Sequence, residues 1–276
     1  MRKYLIGVVQ MDTRDDKEAN LKAACGFIDE AVSKGAKLVS FPEVFNVIDD
    51  GQEAPEEIPN GPTISLMAEK AREHKVWIHC GSIAEVNPDG DRKYNTTALL
   101  DPNGQMVAKY RKLHTFDITL PDGTLTQESA KIKPGDEMVT LDTELGHFGF
   151  TICYDIRFPE LYRYLALQGA NIIFTPANFA TPTGKDHWET ILKARAVENG
   201  CYIVASAQIG KKRGKSDSFG ATLVVDPWGT IISKAREEAC VTMAEIDLDY
   251  LDKVRGMLPM LVNRRGDVYD TIRKEK

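Results

Sequence analysis

The chain has 276 residues and a net charge of −6, with 42% apolar and 28% charged residues, the profile of an ordinary soluble globular protein with a sizeable core. That acidic balance excludes the basic face that nucleic-acid binding requires, and no stretch approaches the roughly 20 apolar residues of a membrane span. Met1-Arg-Lys-Tyr-Leu5 runs straight into a strand-like segment without the apolar core and cleavage site of a secretory signal, so a cytoplasmic protein is expected.

From the start, apolar β-rich runs alternate with helical patterns. Lys3–Gln10 reads as a strand, and residues 17–34 as a helix with Leu21, Ala24, Ile28 and Ala31 on one face and Gly35 ending it. A strand over 38–43, a helix over 64–73 and a strand over 76–86 follow, then a hairpin turning at Asp101-Pro-Asn-Gly104. The same order recurs with a strand over 147–153, a helix over 159–168 opened by Pro159 and closed by Gly169, and a strand over 171–176. A helix over 187–198, a strand over 201–209 and a second hairpin at Asp226-Pro-Trp-Gly229 complete it.

Gly35-Ala-Lys-Leu-Val-Ser-Phe-Pro-Glu-Val-Phe45 aligns without gaps on Gly169-Ala-Asn-Ile-Ile-Phe-Thr-Pro-Ala-Asn-Phe179, and Leu99-Leu-Asp-Pro-Asn-Gly104 on Val224-Val-Asp-Pro-Trp-Gly229. Ordinary strand and turn chemistry can produce either match alone. Two in the right order imply equivalent β/α halves, each sheet covered by its own helices and the halves packed as a four-layer αββα sandwich. Glu43 closes a strand whose counterpart ends at Ala177, and Cys153 closes one whose counterpart ends near Gln10. The reactive residues thus break the symmetry at strand ends, where α/β sheets bind ligands.

Cys153 lies in Gly149-Phe-Thr-Ile-Cys-Tyr-Asp-Ile-Arg-Phe-Pro159, an apolar strand turning abruptly toward a helix. Hydrolases expose a nucleophile at such turns, although the GxSxG signature is absent here. The turn would aim the amides that follow, beginning with Tyr154, at a developing oxyanion. A cysteine in so apolar a setting is often an inert core thiol, which is the reading for Cys25, Cys80, Cys201 and Cys240. Glu43, flanked by large apolar residues, is suited by burial to proton transfer. Lys112, in Tyr110-Arg-Lys-Leu113, would favour the thiolate if brought beside Cys153. Glu128, in Thr126-Gln-Glu-Ser129, has the weakest case on chemistry alone, and Tyr154, Asn178 and Phe179 are candidate substrate-binding residues. The scattered cysteines form no CxxC pair, and His74, His79, His114, His147 and His187 lack ligand spacing, so no metal site is expected. His147, at a face-alternating strand position, reads as packing. No organic cofactor is required, because thiol and carboxylate suffice for acyl transfer.

Phe41-Pro-Glu-Val-Phe45, Tyr110-Arg-Lys-Leu113 and Thr151-Ile-Cys-Tyr-Asp-Ile-Arg-Phe-Pro-Glu160 resemble, in order and spacing, the three motif blocks of the nitrilase superfamily of carbon–nitrogen hydrolases. The similarity continues through Asp186-His-Trp-Glu189 and Ala194-Arg-Ala-Val-Glu-Asn199 to Asp267-Val-Tyr269. Tyr-Asp after the cysteine resembles the group containing omega-amidase and deaminated-glutathione amidase more than the Trp-Glu of nitrilases. The resemblance implies the four-layer sandwich, a Glu–Lys–Cys triad at Glu43, Lys112 and Cys153, and a supporting glutamate at Glu128. It implies hydrolysis of a small linear amide to acid and ammonia through a cysteine thioester. It also implies a homodimer or larger assembly, with residues 1–256 as one catalytic domain and 257–276 as a tail at a subunit interface.

A nitrilase or N-carbamoyl hydrolase would use the same triad, whereas a silent binding module would lack one of its members. Two departures from the group's pattern stand out. Gly184-Lys185-Asp186 occupies a place where these amidases carry small residues before His-Trp. Segment 47–62 is short and holds Asp49, Asp50, Glu53, Glu56 and Glu57, expected as a solvated loop; lining a pocket entrance, it would disfavour a dianionic substrate.

Overall fold

A computed structural model describes residues 2–48, 54–119, 125–212 and 217–269. The first half runs β1 (Lys3–Gln10), α1 (Lys17–Ser33), β2 (Ala36–Ser40), α2 (Pro62–His74), β3 (Trp77–His79), β4 (Ile83–Glu85), β5 (Tyr94–Leu100) and β6 (Met106–Arg111). A ribbon of β7 (Asp117–Thr119) and β8 (Leu125–Gln127) leads to β9 (Thr140–Thr143), β10 (Gly146–Phe150), α3 (Pro159–Leu167) and β11 (Ile172–Phe174). After the short α4 (Thr181–Thr183) come α5 (Glu189–Asn199), β12 (Tyr202–Ala205), and a second ribbon of β13 (Ile209–Gly210) and β14 (Ser218–Phe219). The described chain ends with β15 (Leu223–Val225), β16 (Ile231–Lys234), β17 (Cys240–Asp247), α6 (Leu248–Met257) and α7 (Gly266–Tyr269). Residues 270–276 of the expected tail lie outside the described residues.

One sheet has the order β17-β1-β2-β3-β5-β4 with β6 on β5, and the other β16-β15-β12-β11-β10-β9. Their registers correspond residue by residue. Ile6 faces Leu38 as Phe148 faces Ile172, Leu38 faces Trp77 as Ile172 faces Tyr202, and Ile78 faces Leu100 as Ile203 faces Val225. Antiparallel edge strands also match, β17 on β1 and β9 on β10. Both hairpins close alike: the Gly104 N–H donates to Asp101 O at 2.8 Å and the Gly229 N–H to Asp226 O at 3.0 Å, with both glycines at positive φ. The repeat seen in the sequence is therefore real, and its register sets Cys153 opposite Met11, one residue past Gln10.

Strand alternation produces the layers. Tyr4, Ile6, Val8 and Leu38 face the second sheet, whereas Val9, Val39 and Ile78 lie with Ala24, Ile28 and Met67 of α1 and α2. Leu161 and Leu165 of α3 and Leu192 and Ala196 of α5 cover the other sheet, completing the αββα sandwich. The seam between sheets includes a buried polar group. His79 stacks on Phe174 at 4.4 Å, and its ring nitrogens lie 2.9 Å from Ser40 Oγ and Thr97 Oγ1. Burial pushes this imidazole down to about 3, so it sits in the core uncharged.

Three expectations change. The strand over 76–86 breaks into β3 and β4 because Gly81, at φ +47, turns the chain between them. The helix expected from 187 begins at Glu189, after a π-helical turn over Gly184–Trp188 that leaves Lys185 and Asp186 exposed. Of the acidic segment, Asp49, Asp50 and Glu53 lie outside the described residues and Glu57 is exposed, but Glu56 is buried. Its carboxylate pairs with Lys17 and accepts from the Thr63 N–H at 2.8 Å, so it anchors the loop instead of solvating it. Among the described residues no helix is long and apolar enough to cross a membrane.

Candidate active site

Strand β10 ends at Phe150, and Cys153 opens a 3-10 turn over Cys153–Arg157 with φ at +48. A side chain in the left-handed region costs about 1–2 kcal/mol, and here the Cys153 N–H is fixed by donating to Pro176 O at 2.8 Å. Backbone strain at such a turn is a mark of functional sites.

Glu43 lies three residues beyond β2, on a turn that depends on a glycine. A Cβ at Gly81 would stand 2.0 Å from Pro42 O, and the Ser82 N–H donates to that same carbonyl at 3.2 Å. Gly81→Ala is therefore expected to displace the Glu43 turn, destabilising the fold by roughly 2–4 kcal/mol from left-handed strain plus overpacking. Thermal melting checks the stability loss.

The side chains of Glu43 and Lys112 are 6% and 2% exposed. Glu43 Oε1 accepts from Lys112 Nζ at 3.1 Å and Asn95 Nδ2 at 2.8 Å, while Oε2 accepts from the Asn178 N–H at 2.8 Å. Gln208 Nε2 donates to the Glu43 carbonyl at 2.9 Å. On its other side Lys112 Nζ meets both Glu128 oxygens at 2.9 Å, and the Phe116 N–H donates to Glu128 Oε2 at 2.6 Å. The ammonium is thus clamped between two carboxylates. Burial works against its charge, yet Glu128 and Glu43 outweigh that cost and hold Lys112 well above the ordinary lysine range.

The sulfur behaves otherwise than the sequence suggests. Burial, reinforced by the Glu43 carboxylate, pushes the Cys153 thiol well above its usual range, and the opposing pull of Lys112 does not reverse this. One cation shared with two carboxylates does little to favour the thiolate.

All seven candidates line one cavity of about 400 Å³: Glu43, Lys112, Glu128 and Cys153, with Tyr154, Asn178 and Phe179. That volume suits a small molecule. Asn178 contributes through its backbone, holding Glu43. His147 does not line the cavity. Asn95 and Gln208, which hold Glu43 in place, were not singled out from the sequence; the signal available was a polar side chain within an apolar strand run, common enough to carry little information. Among the described residues no three His, Cys, Asp or Glu side chains gather to hold a metal ion.

Comparison with known proteins agrees with this geometry. The profile of the carbon–nitrogen hydrolase family matches residues 5–256. A deaminated glutathione amidase of Synechocystis is 41% identical over 272 residues, covering 96% of this chain and 99% of that protein. The omega-amidase NIT2 of Homo sapiens is 36% identical, covering 98% of each. Among solved structures, the C. elegans NitFhit protein superposes with a TM-score of 0.88 at 37% identity, covering 98% of this chain and 66% of that one. Nit3 of Saccharomyces cerevisiae, a nitrilase-superfamily member, gives 0.86 at 32% identity, covering 96% of this chain and 97% of that one. The chain belongs to the carbon–nitrogen hydrolase family, in the nitrilase superfamily's omega-amidase and deaminated-glutathione amidase group, and is a hydrolase of carbon–nitrogen bonds.

Proposed function

We propose that this chain is a cysteine-dependent amidase that converts a small linear amide to a carboxylic acid and ammonia. Cys153 is the nucleophile, Glu43 the proton carrier, and Lys112 with the Tyr154 N–H the oxyanion donors. The observation that supports this most is the 3.1 Å contact between Lys112 and Glu43 in the cavity onto which Cys153 opens. Relatives named as amidases at 36–41% identity favour an amide over a nitrile.

In the first step the Cys153 proton passes to Glu43 as the carbon–sulfur bond forms, and the carbonyl π pair moves onto oxygen. Lys112 and the Tyr154 N–H meet that charge, each donor worth about 3 kcal/mol in comparable sites. Glu43 then delivers the proton to nitrogen as the carbon–nitrogen bond breaks, releasing ammonia and leaving a thioester. Water next gives a proton to Glu43 while its oxygen adds to the acyl carbon. The carbon–sulfur bond breaks, the proton returns to sulfur, and the acid departs. Glu128 keeps the Lys112 ammonium aimed at the oxyanion. Tyr154, Asn178 and Phe179 line the space for the acyl group. No cofactor takes part. The reading includes a cytoplasmic homodimer or larger assembly, one catalytic domain over 1–256, and the tail from 257 at an interface; exposed Met257, Leu258 and Val262 support that last point.

An ammonia-release screen over short amides, dicarboxylate monoamides, nitriles and N-carbamoyl compounds tests the proposal. Ammonia without carbon dioxide from amides is expected, with an acyl adduct on Cys153 by mass spectrometry. Turnover of nitriles alone, or an adduct on another cysteine, would overturn it. Glu43→Gln is expected to lose about a thousandfold in kcat, within the range for a general base, while its Cys153 still reacts slowly with iodoacetamide.

A further inference from the structure

Lys112 and Cys153 come from different halves, one just past β6 and the other just past β10, and among the described residues the two sheets share no strand pairing. Beside the site they are joined through Asp155. Its carboxylate is fully buried and accepts four hydrogen bonds. Within its own turn Oδ2 takes the Ile152 N–H at 2.8 Å. Across the seam Oδ2 takes the Tyr110 hydroxyl at 2.6 Å, and Oδ1 takes the His114 N–H at 3.1 Å and His114 Nδ1 at 2.7 Å. Facing a carboxylate, Nδ1 is the protonated ring nitrogen. Tyr110 and His114 stand two residues either side of Lys112, and Asp155 stands two after Cys153.

The contacts continue round the site. The His114 ring stacks on Phe158 at 3.6 Å, Phe158 meets Tyr154 edge-on at 5.4 Å, and Tyr154 meets Phe116 at 5.0 Å. Phe116 in turn holds Glu128 through its N–H. A desolvated carboxylate is tolerable only when its oxygens find donors, and charge-assisted bonds of this kind are short and directional. Here the donors are the residues flanking the ammonium.

We propose that Asp155 is a positioning residue, whose clasp on Tyr110 and His114 sets where the Lys112 ammonium stands relative to the Cys153 sulfur. This rests on the amidase reading above. The clasp governs acyl transfer and leaves substrate affinity alone, because none of its three side chains lines the cavity.

The test compares Tyr110→Phe, Asp155→Asn and the double variant with wild type on the fastest amide of the ammonia screen, counting sites by stoichiometric iodoacetamide labelling of Cys153. Per labelled site, kcat is expected to fall about tenfold in Tyr110→Phe and about a hundredfold in Asp155→Asn, with KM within about twofold. The double variant should be no slower than Asp155→Asn, since both act through one contact. A merely structural role would reduce labelled sites and leave kcat per site unchanged; that result, or multiplicative losses in the double variant, overturns the proposal. Should Asp155→Asn fail to fold, Tyr110→Phe alone decides by kcat per site. Cys153→Ala, run alongside, separates the two readings. Ammonia release by that variant sinks the amidase, whereas an inactive Cys153→Ala beside fully active Tyr110→Phe and Asp155→Asn sinks only the clasp.

Discussion

Cys153→Ala is expected to lower amide hydrolysis by at least about a hundred-thousandfold, the scale on which removing a covalent nucleophile acts. The residue contributes little that alanine would not. Cys153 is 9% exposed at the cavity wall, its backbone bond to Pro176 does not involve the side chain, and alanine bears the positive φ no worse than cysteine. The melting temperature should therefore stay within a few degrees of wild type while activity disappears. Ammonia release and thermal melting measured on the same preparation check this, and a variant turning over at near-normal rate would refute the mechanism.

Lys112→Met should be the most damaging change to the fold among the site residues, as well as costing about ten-thousandfold in kcat. Methionine matches the lysine stem but removes the charge between Glu43 and Glu128. Those carboxylates now approach it at 3.1 and 2.9 Å, and without it they face each other uncompensated. Breaking a buried ion pair by deleting one partner costs about 3–5 kcal/mol. Glu128 is 20% exposed, so water reduces its share and the lower end is expected. Activity falls for two reasons. An oxyanion donor worth about a hundred- to a thousandfold is lost, and Glu43 loses the donor that positions its Oε1. Denaturant melts check the stability loss, and a variant as stable as wild type would be inconsistent with the clamp.

Both predictions turn on what neighbouring groups do to one another, and that marks the boundary of what a chain reading can reach. Periodicity of 2 and 3.6, glycines and prolines at turns and the internal match of residues 35–45 with 169–179 determined the two β/α halves and their layering. These are local properties, set by backbone sterics and by which face of an element meets water. Strand ends and an abrupt turn, readable from neighbouring residues, likewise pointed to Glu43 and Cys153, whereas Lys112 and Glu128 took their roles only from the resemblance to the family. Tertiary structure decided the rest. It decided that Glu56 is buried on Lys17 instead of solvated, that Asn95 and Gln208 hold Glu43, that Asp155 bridges the halves, and that burial and Glu43 together push the Cys153 thiol up. Each of these is a sum over groups distant along the chain and adjacent in space. Coulombic and desolvation energies depend on those separations and on exclusion of water, which no single segment of sequence contains.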